Sequence, residues 1–370
     1  MSLGSLVRIA ALCLILELCV TGCQSRPPAR GSSAATSSVP TTTLIALALG
    51  YENDLVEFDV SSGHVGRRLV LGEKPWAPSS LGPGHYMAAG SDGKTVYILI
   101  RRSNQAAAVV ALDRRTLARQ WSQDLPTEAG EPRALAVGPR SGSVFAFTNH
   151  TLVPGGPGFA PRAQAVMTQL DAVRGHVQRS LVLRDPDLDS REFEDWSVLS
   201  ALFSYDETRL YVSFHNQGLF DFDITASGPI ARCPARRCLP AHGDIGLWNG
   251  GILAATGSNH LRLISTDGQV LRTFDTRLER NHLMVFAVDP SGKTVYAVGS
   301  CHYVPGMTSV NLETGEQRVI APEAVTSQPC GDRVVFDSGR LLVGPDVRVL
   351  HAATGATIAN PRLSALDLLF

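Results

Sequence analysis

The sequence predicts an all-β fold: a seven-bladed β-propeller of four-stranded antiparallel blades, closed by pairing the C-terminal strand with the N-terminal blade. Three observations predict it. Beyond residue 42 the apolar runs are short, rich in Val, Ile, Leu, Phe and Tyr, and punctuated by Gly, Asp and Asn, while stretches of helical period are scarce. Two turn signals alternate along the chain, at a spacing near the ~40–50 residues of a propeller blade. The C-terminal segment "SALDLLF" (Ser364 to Phe370) reads as a strand with no hairpin partner of its own.

The first signal is a tight hairpin between two strands. It falls at Asp92-Gly93, Ser141-Gly142, Asp206-Glu207, Asn249-Gly250, Ser291-Gly292 and Ser338-Gly339. Gly and Asn supply the positive φ that such turns need. The second signal follows a strand ending near Asp59, Asp113, Asp171, Asp223, Asp267, Asn311 or His351. Seven signals of the second kind stand beside six of the first. The missing hairpin would precede "TTLIALALG", where the folded part begins. If the last strand is the inner strand of the first blade, all seven units are complete and no sheet edge is left raw. The hairpins "DGKTVY" (Asp92 to Tyr97) and "PSGKTVY" (Pro290 to Tyr296) resemble those of YVTN-type and WD-repeat-like propellers. The resemblance covers residues 43–370 and implies the fold; it implies no activity, because propellers carry enzymes and binding modules alike.

At 370 residues and 44% hydrophobic the chain has material for a large core, and one unit of this length is ordinary for a propeller. With 33 Lys+Arg against 34 Asp+Glu the net charge is −1, so no excess exists to neutralise a phosphate backbone. Nucleic acid is excluded as a partner on this ground, and a monomer is expected.

The N-terminus reads as a secretory signal over residues 1–22: Arg8, then the apolar "IAALCLILELCV" (Ile9 to Val20), too short to span a bilayer. The run Val20-Thr21-Gly22-Cys23 resembles the lipobox of bacterial lipoproteins, which implies a palmitate-bearing Cys23 as the first residue of the mature protein. The same residues also allow an ordinary cleaved signal or an uncleaved hydrophobic anchor, with Cys23 incidental. Residues 23–42, small, polar and proline-bearing, would be the lipid anchor and a flexible tether. The expected location is the cell envelope, lipid-anchored to a bacterial membrane and facing outside the cytoplasm, with the propeller over residues 43–370.

Four cysteines remain outside the signal and Cys23. In an exported chain the even count suggests disulfides, one local between Cys233 and Cys238 and one between neighbouring blades from Cys301 to Cys330. The rival is a zinc site of four thiolates, for which the usual two-residue spacers are absent.

Strand direction alternates within a blade, so the loops joining second to third strands share one face with the loops joining blades. That face gathers Asn53, Asn104, His150, His215, His260 and His302 as ligand-face candidates. Asn and His also serve turn geometry alone, and that reading stays beside the first. The segment "TNHTLVPGGPGFAPRAQ" (Thr148 to Gln164) reads as a long loop over the same face. Asp185, Asp187 and Asp189 have the alternation that opens an EF-hand loop, but Ser190 replaces the turn glycine and Trp196 the closing glutamate. Calcium is the one cofactor these carboxylates suggest; a solvated acidic loop is the other reading. Trp76, Trp121, Trp196 and Trp248 are expected to pack.

No nucleophile elbow, Walker loop or H-E-x-x-H pair occurs. The expected function is therefore an extracytoplasmic binding module for an envelope protein, peptide or glycan rather than an enzyme. The alternative is a propeller enzyme, a hydrolase, lyase or lactonase-like catalyst, with His and carboxylates at the central mouth. An envelope scaffold without a small-molecule site is a third reading. An enzyme predicts that such groups converge within hydrogen-bond reach there; a binding module predicts an exposed apolar patch with a polar rim.

Overall fold

The computed structural model describes residues 45–370 apart from 51–52, 72–84, 103–105, 127–129, 154–161, 184–197, 215–217, 225–229, 232–242, 257–258, 277, 279–282, 301–306, 322–333, 345, 364 and 366. Cys23, Asn104, Asp185, Asp187, Asp189, His215, Cys233, Cys238, Cys301, His302 and Cys330 lie outside the described residues. The compact unit spans Thr43–Phe370.

Among the described residues, twenty-eight strands form seven antiparallel sheets of four. The inner strands of the second to seventh blades are β4 (Met87–Ala89), β8 (Glu131–Val137), β12 (Val198–Phe203), β16 (Ile245–Trp248), β20 (Leu283–Val288) and β24 (Val334–Asp337). Each is followed outward by the next three strands in chain order. The first blade differs as expected from the sequence. Its order is β28 (Asp367–Leu369), β1 (Ile45–Leu49), β2 (Asp54–Asp59), β3 (Val65–Val70), with Leu47 opposite Leu369 and Leu49 opposite Asp367. Three residues suffice because Leu368 is buried among Ala46, Ala48 and Phe58 of its own blade and Leu342 and Val349 of the seventh.

Both turn signals lie where the sequence puts them, with two refinements. Only the hairpins at Asn249-Gly250 and Ser338-Gly339 are two-residue turns; both central residues are left-handed, at φ 46° and 77°, and 48° and 80°. In the other four only the later residue is left-handed, Gly93, Gly142, Gly292 or, without a glycine, Glu207 at φ 58°. In the outer turns the leading carboxylate or amide accepts N–H groups two and three residues on, as Asp59 does from Ser61 and Ser62 and Asn311 from Glu313 and Thr314. Sequence alone also suggested a long loop from Thr148 to Gln164. Instead the second and third strands of the third blade, β9 (Val144–Val153) and β10 (Arg162–Leu170), stay paired as far as Val153 opposite Arg162. The β-forming run "TNHTLV" keeps its ladder across one bulge and shortens the connection.

The core lies between blades. Inner and second strands present apolar residues to both neighbouring sheets, giving clusters such as Phe145, Phe203, Phe214, Phe220 and Phe222 between the third and fourth blades, with Phe145 and Phe203 centroids 4.3 Å apart. Among the described residues, the outermost strand ties a blade to the next by one repeated device at four of the seven junctions. A donor on the outer strand reaches a backbone carbonyl in the outer turn of the following blade. Arg67 donates to Arg115 O (2.7 Å), Trp121 to Ala172 O (3.0 Å), Arg179 to Ile224 O (3.3 Å) and Arg272 to Leu312 O (2.8 Å). The packing expected of Trp121 and Trp248 thus includes a hydrogen bond between blades, the second from Trp248 Nε1 to Gly292 O.

Candidate functional site

Every inner strand starts at the face that carries the second-to-third and inter-blade loops, so the first residues of these strands and those just before them surround one mouth of the central channel. Polar residues collect there. Glu131 and Arg133 lie on β8, Ser200 on β12 and Asp367 on β28, while His85 precedes β4 and Asp244 precedes β16. Arg133, Ser200, Asp244 and Asp367 are buried.

The central contact joins the second blade to the fifth. His85 Nε2 lies 2.7 Å from Asp244 Oδ1. In a ring of seven these blades are three places apart, so the two side chains meet across the axis. His85 is fixed through its backbone: its carbonyl accepts the N–H of Leu135 at 2.6 Å, a parallel bridge to the third blade. Asp244 Oδ1 also accepts the Ser200 hydroxyl at 2.9 Å and the Ile245 N–H at 3.2 Å. With the carboxylate ionised and the ring neutral, Nε2 of His85 is the donor in this contact and the ring lone pair is on Nδ1. Ser200 and His85 converge on the same carboxylate oxygen. That differs from a nucleophilic triad, in which the serine bonds to the histidine.

The rest of the mouth is held as firmly. Arg133 Nη2 donates to Glu131 Oε2 at 2.8 Å. Gly130, at φ +75°, precedes them where a Cβ would stand 2.1 Å from Asn149 O, so only glycine brings the chain to Glu131 along this path. Asp367 accepts the N–H of Met87 at 2.7 Å through Oδ2 and that of Leu368 at 2.8 Å through Oδ1, linking the closing strand to the second blade two residues from His85.

Of the ligand-face candidates read from the sequence, three are described. Asn53 is buried at φ 53°, and its amide donates to Arg101 O of the second blade at 3.3 Å. His150 lies in β9 opposite Gln164, and His260 starts β18 (His260–Ile264) opposite Thr256. They stand at the mouth end of the first, third and fifth blades, on or just before strands outside the inner ring. Sequence reasoning missed His85, Ser200, Asp244 and Asp367. The signal for them is positional: a polar residue at or just before the start of each inner strand. Among the described residues no group of three His, Cys, Asp or Glu is placed to hold a metal ion.

Comparison with known proteins places the fold and no more. No protein-family model matches the chain, and no curated protein matches it. Among solved structures it is similar to a candidate 6-phosphogluconolactonase of Bacteroides uniformis, at 16% identity, over 88% of this chain and 99% of that one, with a TM-score of 0.58. A second candidate 6-phosphogluconolactonase, from Bacteroides fragilis, is 14% identical over 90% of this chain and 99% of that one, with a TM-score of 0.61. A periplasmic gluconolactonase of Pseudomonas aeruginosa is 14% identical over 88% and 98%, with a TM-score of 0.63. One expectation is corrected here. The lipid-anchored envelope location read from Cys23 is withdrawn: the same fold is found in a protein described as periplasmic.

Proposed function

We propose that the chain is a propeller hydrolase acting on a lactone of a sugar acid at the central mouth. The observation that carries this reading is the His85–Asp244 contact across the axis, supported by the lactonase names of similar propellers. Water attacks the ester carbon of the ring and gives its proton to Nδ1 of His85. The ring C–O bond then breaks, and the departing oxygen takes the proton back, leaving an open hydroxy acid. Asp244 is a positioning residue that fixes the ring and balances the charge it gains; Ser200 and the Ile245 N–H hold that carboxylate in place.

The binding-module reading has less support. Among the described residues, the large exposed apolar side chains, such as Val70, Val173, Tyr205, Leu271, Val319 and Ile358, are spread over six blades, mostly on outer strands, and gather in no one blade.

The test is hydrolysis of glucono-δ-lactone above its spontaneous rate, followed by acid release in weak buffer. The wild type should accelerate it, and His85→Gln should lower kcat/KM by about 10²- to 10⁴-fold, the range for loss of a general base. A wild type that leaves this and other sugar lactones at the spontaneous rate would end the reading, and so would an unimpaired His85→Gln.

A further inference from the structure

We propose a second site, on the face opposite the mouth, that binds a multivalent oxyanion: a small molecule carrying phosphate or several carboxylates on a compact body. It is independent of the lactonase reading. Between the first and second blades lies a cavity of about 580 Å³. Its floor is apolar, formed by Leu47, which is buried, and Ile45, which is half-buried. Its rim is cationic.

Two carboxylates line the cavity, and both are already engaged. Glu57 forms a two-point ion pair with Arg67, and Asp113 accepts the N–H and the hydroxyl of Thr116 at 2.7 and 2.8 Å. Lys94, Arg114 and Arg115 remain, and none of their side chains has a hydrogen bond or ion pair among the described residues. Their backbones are fixed. Arg114 N donates to Lys94 O at 2.7 Å, and Arg67 of the first blade donates to Arg115 O at 2.7 Å. The lining thus sets Arg67, Lys94, Arg114 and Arg115 against Glu57 and Asp113, with Asp113 close enough to act on Arg115 and Asp92 close enough to act on Lys94. Cations outnumber carboxylates around the pocket, and no side chain of Lys94, Arg114 or Arg115 is locked in an ion pair among the described residues.

The sixth blade shows that the fold does not need them. There Leu312 N donates to Lys293 O at 2.8 Å, and Arg272 of the fifth blade donates to Leu312 O and Glu313 O at 2.8 Å each. The architecture is the same, but Leu312 stands for Arg114 and Glu313 for Arg115, and Lys293 pairs with Glu313 at 3.7 Å. One repeat neutralises its lysine; the other surrounds it with arginines. Guanidinium groups on a rigid turn suit bidentate contact with phosphate or carboxylate oxygens. The apolar floor gives the body of such a molecule a surface to lie on.

The probe is inorganic pyrophosphate, titrated calorimetrically into the intact chain, with glucose and matched sodium chloride as controls. Saturable binding is expected, weakening as ionic strength rises. It should weaken about tenfold or more in Arg114→Gln/Arg115→Gln, the loss of charge-assisted hydrogen bonds, and stay unchanged in Lys293→Gln. In the wild type, pyrophosphate should also slow acetylation of Lys94 and not of Lys293, read by mass spectrometry, which needs no variant to fold. Absence of saturable binding, equal weakening by Lys293→Gln, or equal protection of the two lysines would overturn the proposal. Loss of lactone hydrolysis in any variant bears only on the mouth.

Discussion

The indole Nε1 of Trp121, on the outer strand of the second blade, donates to the carbonyl oxygen of Ala172 in the outer turn of the third blade at 3.0 Å, and the Tyr97 hydroxyl reaches the same oxygen at 3.3 Å. Two aromatic side chains of one sheet thus converge on one backbone acceptor of the next, their rings 5.8 Å apart. The glycine that follows, Gly175 at φ +72°, lets the turn lie against the indole; a Cβ there would stand 2.5 Å from the ring.

Trp121→Phe should keep most of the packing and lose the hydrogen bond, costing about 1 kcal/mol and lowering Tm by about 1–3 °C. Gly175→Ala should cost more, because it adds both the clash and the left-handed penalty. Thermal unfolding followed by near-ultraviolet circular dichroism measures both. A Gly175→Ala protein as stable as wild type would refute the close approach.

Ring closure is tested at its last strand. Asp367→Ala removes the acceptor of the Met87 and Leu368 N–H groups and should cost about 1–3 kcal/mol, the penalty of orphaned buried donors. Deleting residues 364–370 should do far more, since it strips β1 of its inner partner and exposes the apolar edge around Ala46 and Ala48. The truncated chain is expected to aggregate on size-exclusion chromatography and to lose its cooperative melt. A monodisperse truncation with the wild-type Tm would contradict closure by this strand.

Glu207 provides a pH-dependent link between the fourth blade and the third. Burial pushes its carboxyl up, but hydrogen bonds from Ser141 and from the Arg140 N–H outweigh that and hold it below the ordinary glutamate range. A depressed carboxyl contributes stability that is present above the unfolded value, about 4.3, and is lost as pH falls through the lower folded value. Glu207→Gln should therefore lower Tm at pH 7 and converge with wild type toward pH 3. A constant gap between the two curves would show that charge has no part in the link.

Asp244→Asn keeps the size of the group that orients His85 and changes its charge, so kcat for lactone hydrolysis should fall by at least about tenfold with KM little altered. Ser200→Ala should give a smaller fall in kcat, because Ile245 N–H still holds Oδ1 of Asp244. Equal losses in KM alone for both variants would assign the pair to binding rather than to proton transfer.

The parts legible in the sequence are those fixed by local chemistry. Alternating apolar runs give strands, Asp59, Asp113 and Asn311 give turns by binding N–H groups two or three residues on, and Gly93 or Asn249 gives the reversal that needs positive φ. Counting those signals yields seven blades, and the one unmatched strand yields the order β28-β1-β2-β3. Less legible was turn length, because Asp206-Glu207 and Asn249-Gly250 look alike as pairs and differ in how many flanking residues leave the ladder. Asn53, His150 and His260, chosen as residue types favoured in exposed loops, lie on or beside second and third strands instead of the inner ring.

The sequence by itself determined the all-β class, the number of sheets and the way the ring shuts, because each depends on period and turn residues within a few positions of one another. Only the tertiary structure decided the mouth. His85 and Asp244 are 159 positions apart, and Ser200 is 44 from Asp244, and no short motif joins them. They meet because seven twisted sheets packed face to face must return to their starting point, and that return brings the leading ends of distant inner strands to a single axis.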